Sequence, residues 1–292
     1  MLHGPVGVLT VVLFETALGS FALLWLAPLW GVVRPGFFKL AGATVLACAA
    51  LAWLAGHGEL RRAGGDGRMA ALWLGLFVLA LLTWQALLYG RRPAMQASAA
   101  MPSTGDRLGR SSTRASAATL PAGAKGRVGD LARWVGVAAV APGLVAAWPL
   151  AVLSGRTALG LLALLTGALF LGTTVDGLLL GHWYLVDRRL SNRPILALAT
   201  WFIAGVAAAL VSAALGGARG TVVDQSLSPL LSVPDLTVYL AVGLVLLCGL
   251  LAAFIRALVR GNSIQAATGM FYLAVIMALA AEFAAKVYFF PA

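Results

Sequence analysis

Eight times along this 292-residue chain an apolar run continues for about 20 residues or more, the length that crosses the hydrocarbon core of a bilayer. No other feature restricts the fold as much. Hydrophobic residues make up 61% of the chain and charged residues 11%, so the apolar surface has no adequate aqueous cover. Inside lipid every backbone N–H and C=O must be satisfied internally, which leaves helices or closed barrels. The runs are too long and continuous for barrel strands. The fold class expected is therefore all-α: a polytopic transmembrane bundle of about eight helices.

The spans are expected at about 6–30, 36–56, 70–90, 133–153, 158–186, 195–216, 236–259 and 264–289. Residues 1–90 then hold the first three spans and residues 132–292 the last five. Residues 91–131 form a polar, Arg-dotted connection rich in Ala, Ser, Gly and Thr, which lacks the apolar periodicity of a core and reads as a flexible, solvated linker. The first 24 residues carry no Lys or Arg, and we take them as a retained helix rather than a signal peptide.

The formal net charge is +11. Fifteen of the 21 Lys and Arg residues fall in the connections after the first, third, fifth and seventh spans. A basic excess so placed points to membrane topology and anionic lipid as the partner, not to nucleic acid. The positive-inside rule puts those connections in the cytoplasm and both termini outside, and the expected location is a bacterial plasma membrane.

The first and fifth spans share a spaced pattern. Thr16, Gly19 and Trp25 precede Arg34-Pro35, and Thr174, Gly177 and Trp183 precede Arg193-Pro194. Spans one and five run in the same direction, so the pattern suggests a parallel repeat of four helices plus four.

Ionisable groups in a membrane face the bundle interior or a water-filled cavity. Glu15, Asp176, His182 and Glu282 stand well inside apolar runs. Glu15 and Asp176 each lie about ten residues, or roughly 15 Å, from a span end, which makes them candidates for a shared proton- or cation-binding site near the midplane. In the eighth span Gln265, Thr268, Tyr272, Glu282 and Lys286 fall within about a 100° arc, an expected inward polar stripe. Glu282 and Lys286 are spaced i,i+4 for an ion pair, near an end where Lys286 can snorkel to the interface. His182, Trp183 and Tyr184 form an interfacial aromatic cluster that suits a quinone carbonyl, a proton relay, or a plain anchor in the aromatic belt.

No catalytic residue is assigned, since the chain has no GxSxG elbow, HExxH or phosphate-binding glycine loop. His3, His57 and His182 are the only histidines, and neither a metal nor haem is expected. Cys48 and Cys248 read as small buried hydrophobes.

In helix count the chain is similar to the membrane subunits of polysulfide-reductase type, which carry eight helices in two four-helix bundles and bind quinone without haem. The likeness is architectural, covers the whole chain and transfers no residue. It implies a quinone- or proton-handling subunit of a larger respiratory or redox complex, with quinone as the cofactor and other subunits as partners. The alternatives are a proton- or cation-coupled small-solute transporter and a non-catalytic membrane scaffold or assembly protein.

Overall fold

A computed structural model describes residues 4–26, 29, 32–90, 122–187, 190–216, 236–287 and 289–290, with 122–130 described by backbone alone. Among the described residues there are eight helices and no strands: α1 (Pro5–Leu26), α2 (Pro35–Arg62), α3 (Gly65–Tyr89), α4 (Ala122–Leu153), α5 (Thr157–Val186), α6 (Arg193–Gly216), α7 (Leu236–Arg260) and α8 (Ile264–Lys286). All eight are long and apolar enough to cross a membrane. The protein is a polytopic helical bundle, as the apolar runs require.

The helix ends follow local chemistry. Pro5 and Pro35 open α1 and α2, where the missing N–H costs nothing and the fixed φ already suits a helix. The turn from α2 to α3 passes through Gly64 at φ +96°, and that from α4 to α5 through Gly155 at φ +71°. A side chain is strained in that left-handed region. Asn262, at φ 58°, closes the α7–α8 turn, a position that Asn tolerates.

Two bounds differ from the sequence reading. α2 runs through the polar segment to Arg62, where Glu59 and Arg62 pair across one turn. α4 starts at Ala122, inside the segment read as linker, because an Ala-containing stretch joined to a formed helix propagates it without a new nucleus. The rest of that linker, residues 91–121, lies outside the described residues.

α1 is the most enclosed helix and α5 the next. Each sequential pair packs within α1–α4 and within α5–α8, and the sets close through α1 on α4 and α5 on α8. The two sets meet along α1 and α5, flanked by α4 on α5 and α1 on α8. This mirrored packing matches a four-plus-four arrangement. The Thr-Gly-Trp pattern does not share its register. Gly19 faces α5, whereas Gly177 faces Phe271 of α8. Trp25 packs on Phe21 and Trp84 within its own half, whereas Trp183 packs on Gly36 and Phe37 of the other. The glycine that meets Gly19 across the seam is Gly172.

That seam is tight. A Cβ on Gly19 would stand 1.7 Å from the Ala168 carbonyl oxygen, and one on Gly172 would stand 2.3 Å from the Gly19 carbonyl carbon. Small residues let transmembrane backbones approach and gain van der Waals contact where lipid offers no hydrophobic drive. Ascending positions on α1 meet ascending positions on α5, Glu15 against Gly167 and Gly19 against Gly172, so the two helices are parallel.

Candidate functional site

The buried charges gather where α1, α5 and α8 meet. Glu15 is fully enclosed, and its Oε1 lies 2.8 Å from Lys286 Nζ. Glu282 Oε2 lies 3.4 Å from the same nitrogen. Lys286 donates a hydrogen bond to the Ala163 carbonyl at 2.9 Å. An ammonium has three N–H donors, and two carboxylates and one carbonyl face them. The Lys286 side chain is 4% exposed, that of Glu282 6% and that of Glu15 0%. Gly167 makes the space: a Cβ there would sit 2.8 Å from the Glu15 carboxyl atoms.

This cluster ties the two halves of the molecule together, because Glu15 belongs to α1 while Glu282, Lys286 and Ala163 belong to α8 and α5. It carries two carboxylates against one ammonium. The expectation that Lys286 snorkels outward is corrected here. Its head turns inward because a carboxylate on a neighbouring helix and a free carbonyl satisfy it better than a partial reach to the interface.

Asp176 is also fully buried on the α1–α5 seam. Ser20 of α1 is its polar neighbour, close enough to interact but short of hydrogen-bond geometry. The nearby hydroxyls do not help. Thr173 donates to Phe170 O and Thr174 to Leu171 O, both at 2.8 Å within their own helix. Among the described residues no charged side chain pairs with this carboxyl.

Glu15 and Asp176 occupy one seam at different heights. Ser20, opposite Asp176, is five residues beyond Glu15 on α1, a rise of about 7.5 Å. Glu15 is acted on electrostatically by Lys286 and Glu282, and Asp176 by Ser20, so each acid has its own neighbourhood.

The α8 polar stripe divides. Thr268, Glu282 and Lys286 are buried, while Gln265 and Tyr272 are exposed. Ala267, Ala274, Ala278 and Ala281 supply half of the buried face, with Phe271 and the three polar residues, so the inward placement of Gln265 and Tyr272 is corrected. Gln265 and Tyr272 lie at one edge of the polar arc, turned away from this buried face.

His182, Trp183 and Tyr184 point in three directions, as successive helical residues must. His182 is exposed on the bundle surface. The Trp183 ring packs edge-on against Phe37 at 6.2 Å between centroids and fills the space over Gly36. Tyr184 is buried and donates its hydroxyl to the Ser191 carbonyl, fastening the turn before α6. Beside them Arg34 Nε pairs with Asp187 at 2.9 Å, joining the α1–α2 connection to the end of α5.

Ser20, Gly167 and Ala163 were not singled out from the sequence. The glycines of α5 at 167, 172 and 177 were the available signal, since a repeated small residue marks where another helix comes close.

Fold and site together define a polytopic α-helical membrane protein with titratable groups buried on its central seam. No protein-family model, curated protein or solved structure matches the chain, so the likeness to the polysulfide-reductase membrane subunits is one of helix count.

Proposed function

We propose that this protein handles protons within the membrane, as a quinone- or proton-handling subunit of a redox complex, and that the α1–α5–α8 seam is its working part. One observation carries the reading. An acid–base cluster with an unbalanced charge and a second, lone carboxyl are both enclosed on the interface between the two halves. Groups of this kind are costly in lipid and mark proton relays when they occur. Their heights differ, so together they mark part of a path along the seam rather than one shared pair.

The quinone part of the reading belongs to the other side of α5. His182 is exposed on the bundle surface with Leu185 and Val186 beside it, which presents an imidazole to molecules dissolved in the bilayer. An imidazole N–H there suits a quinone carbonyl. The basic connections on that face, by the positive-inside rule, would be cytoplasmic, and anionic lipid and other membrane subunits are the partners we propose.

Liposomes containing the full chain, assayed in parallel for proton flux and quinol oxidation, test both parts. Asp176→Asn is expected to lower proton flux by roughly 10²-fold, the scale of a lost proton-transfer group, while leaving quinol binding in place. His182→Ala is expected to weaken quinol oxidation alone. Wild-type liposomes as proton-tight as empty ones, together with unchanged quinol oxidation in both variants, would remove the reading.

A further inference from the structure

We propose that Glu15, Glu282 and Lys286 form a one-proton site: two carboxyls that share the Lys286 ammonium and take up and release a single proton between them. Charge counting leads there. Two carboxylates and one ammonium leave one net negative charge, enclosed where an uncompensated charge is strongly penalised. One added cation makes the cluster neutral.

The geometry says which cation and where. The Lys286 ammonium already occupies the position between the carboxylates that a metal ion would take. Hard divalent cations want six or more oxygens. Here the Ala163 carbonyl is committed to Lys286. A proton needs only one carboxylate oxygen. The shorter contact to the ammonium, 2.8 Å, belongs to Glu15. The longer one, 3.4 Å, belongs to Glu282, which is also the less enclosed of the two acids.

Uptake forms one O–H bond on one of the two carboxyls and takes the cluster from one negative charge to none. Release breaks that bond and passes the proton toward the C-terminal end of α8. The charged groups acting on Glu15 are Glu282 and Lys286 of α8. From α5 the cluster receives the Ala163 carbonyl and the bare backbone of Gly167. The charged residues of α2 stand at its ends, at Lys39 and at Glu59, Arg61 and Arg62, while Arg133 of α4 and Arg256 and Arg260 of α7 lie toward the opposite end of the bundle. The inference deepens the proton-handling reading and rests on it for its purpose, while the proton count is measurable by itself.

Infrared spectroscopy of the full chain in lipid nanodiscs reads protonated carboxyls through their deuterium-sensitive carbonyl stretch. At neutral pH, Glu282→Gln should lose the intensity of one carboxyl. Glu15→Gln should lose the same amount, because either substitution leaves one carboxylate balanced by the one ammonium. Lys286→Met should gain one, and Glu15→Gln with Lys286→Met should match wild type. Size-exclusion profiles check folding, and if Lys286→Met fails to fold the two Gln variants carry the test. An unchanged signal in Glu282→Gln would overturn the site, as would a wild-type signal that falls when sodium or potassium is raised at constant pH. Protein that shows this signal yet moves no protons across liposomes would remove the functional reading and keep the site. Flux without the signal would do the reverse.

Discussion

At the scale of single residues, Lys286 decides the most. A lysine near a helix end has two outlets, the interface and the bundle interior, and its own sequence neighbourhood does not choose between them. The choice was made by Glu15, which is far away in the chain and adjacent in space. Removing one partner of a buried pair leaves the other uncompensated, at a cost of about 3–5 kcal/mol. Lys286→Met is therefore expected to lower the thermal midpoint in detergent markedly, and adding Glu15→Gln to recover much of the loss. A double variant no more stable than Lys286→Met would show that the two residues do not act as a pair. Gly167→Ala is a subtler probe, since its methyl would press on the Glu15 carboxyl. Overpacking of that kind is expected to cost roughly 1–3 kcal/mol.

At the scale of helices, the seam between α1 and α5 is the contact that joins the halves. Gly19→Ala puts a methyl into the Ala168 backbone, and the helices must part to receive it. We expect a loss of at least about 1–3 kcal/mol, read as an earlier unfolding transition. Gly58→Ala in α2 is the matched control, because nothing lies within 4 Å of its added Cβ. Replacing that helical glycine should be neutral or stabilise by roughly 0.5–1 kcal/mol. Equal effects from the two substitutions would mean the seam is not tightly packed.

The existence and approximate extent of all eight helices were legible in hydropathy, because lipid imposes the same length and composition on every span. Facing was less legible. The polar arc on α8 placed Tyr272 inward with Lys286, yet Tyr272 is exposed while Thr268, Glu282 and Lys286 are buried. The polar residues marked the inward face but not its limits, since the alanines at 267, 274, 278 and 281 that share it carry no polar signal. The acids themselves stood out at once, because a charged residue in an apolar run has few explanations. Their partners did not, because Ser20 is an ordinary small residue and the Ala163 carbonyl has no side-chain signature.

At the scale of the whole molecule, eight crossings put both ends of the described chain on one face, with the α2–α3, α4–α5 and α6–α7 connections. The α5–α6 and α7–α8 turns lie on the other. Single cysteines at Gly64 and Gly155, in a background without Cys48 and Cys248, should label from the same side with an impermeant thiol reagent. Single cysteines at Asn192 and Asn262 should label only from the opposite side. Labelling of Gly64 and Asn262 from one side would break the eight-span topology.

Proton movement through this seam is the claim on which the functional reading stands. The most direct measurement is the rate at which liposomes containing the full chain dissipate an imposed pH gradient, comparing wild type with the Glu15→Gln, Asp176→Asn double variant at equal incorporation. The account predicts dissipation by wild type well above empty liposomes and a return to the empty-liposome rate in the double variant. Equal rates in wild type and a well-folded double variant would contradict it.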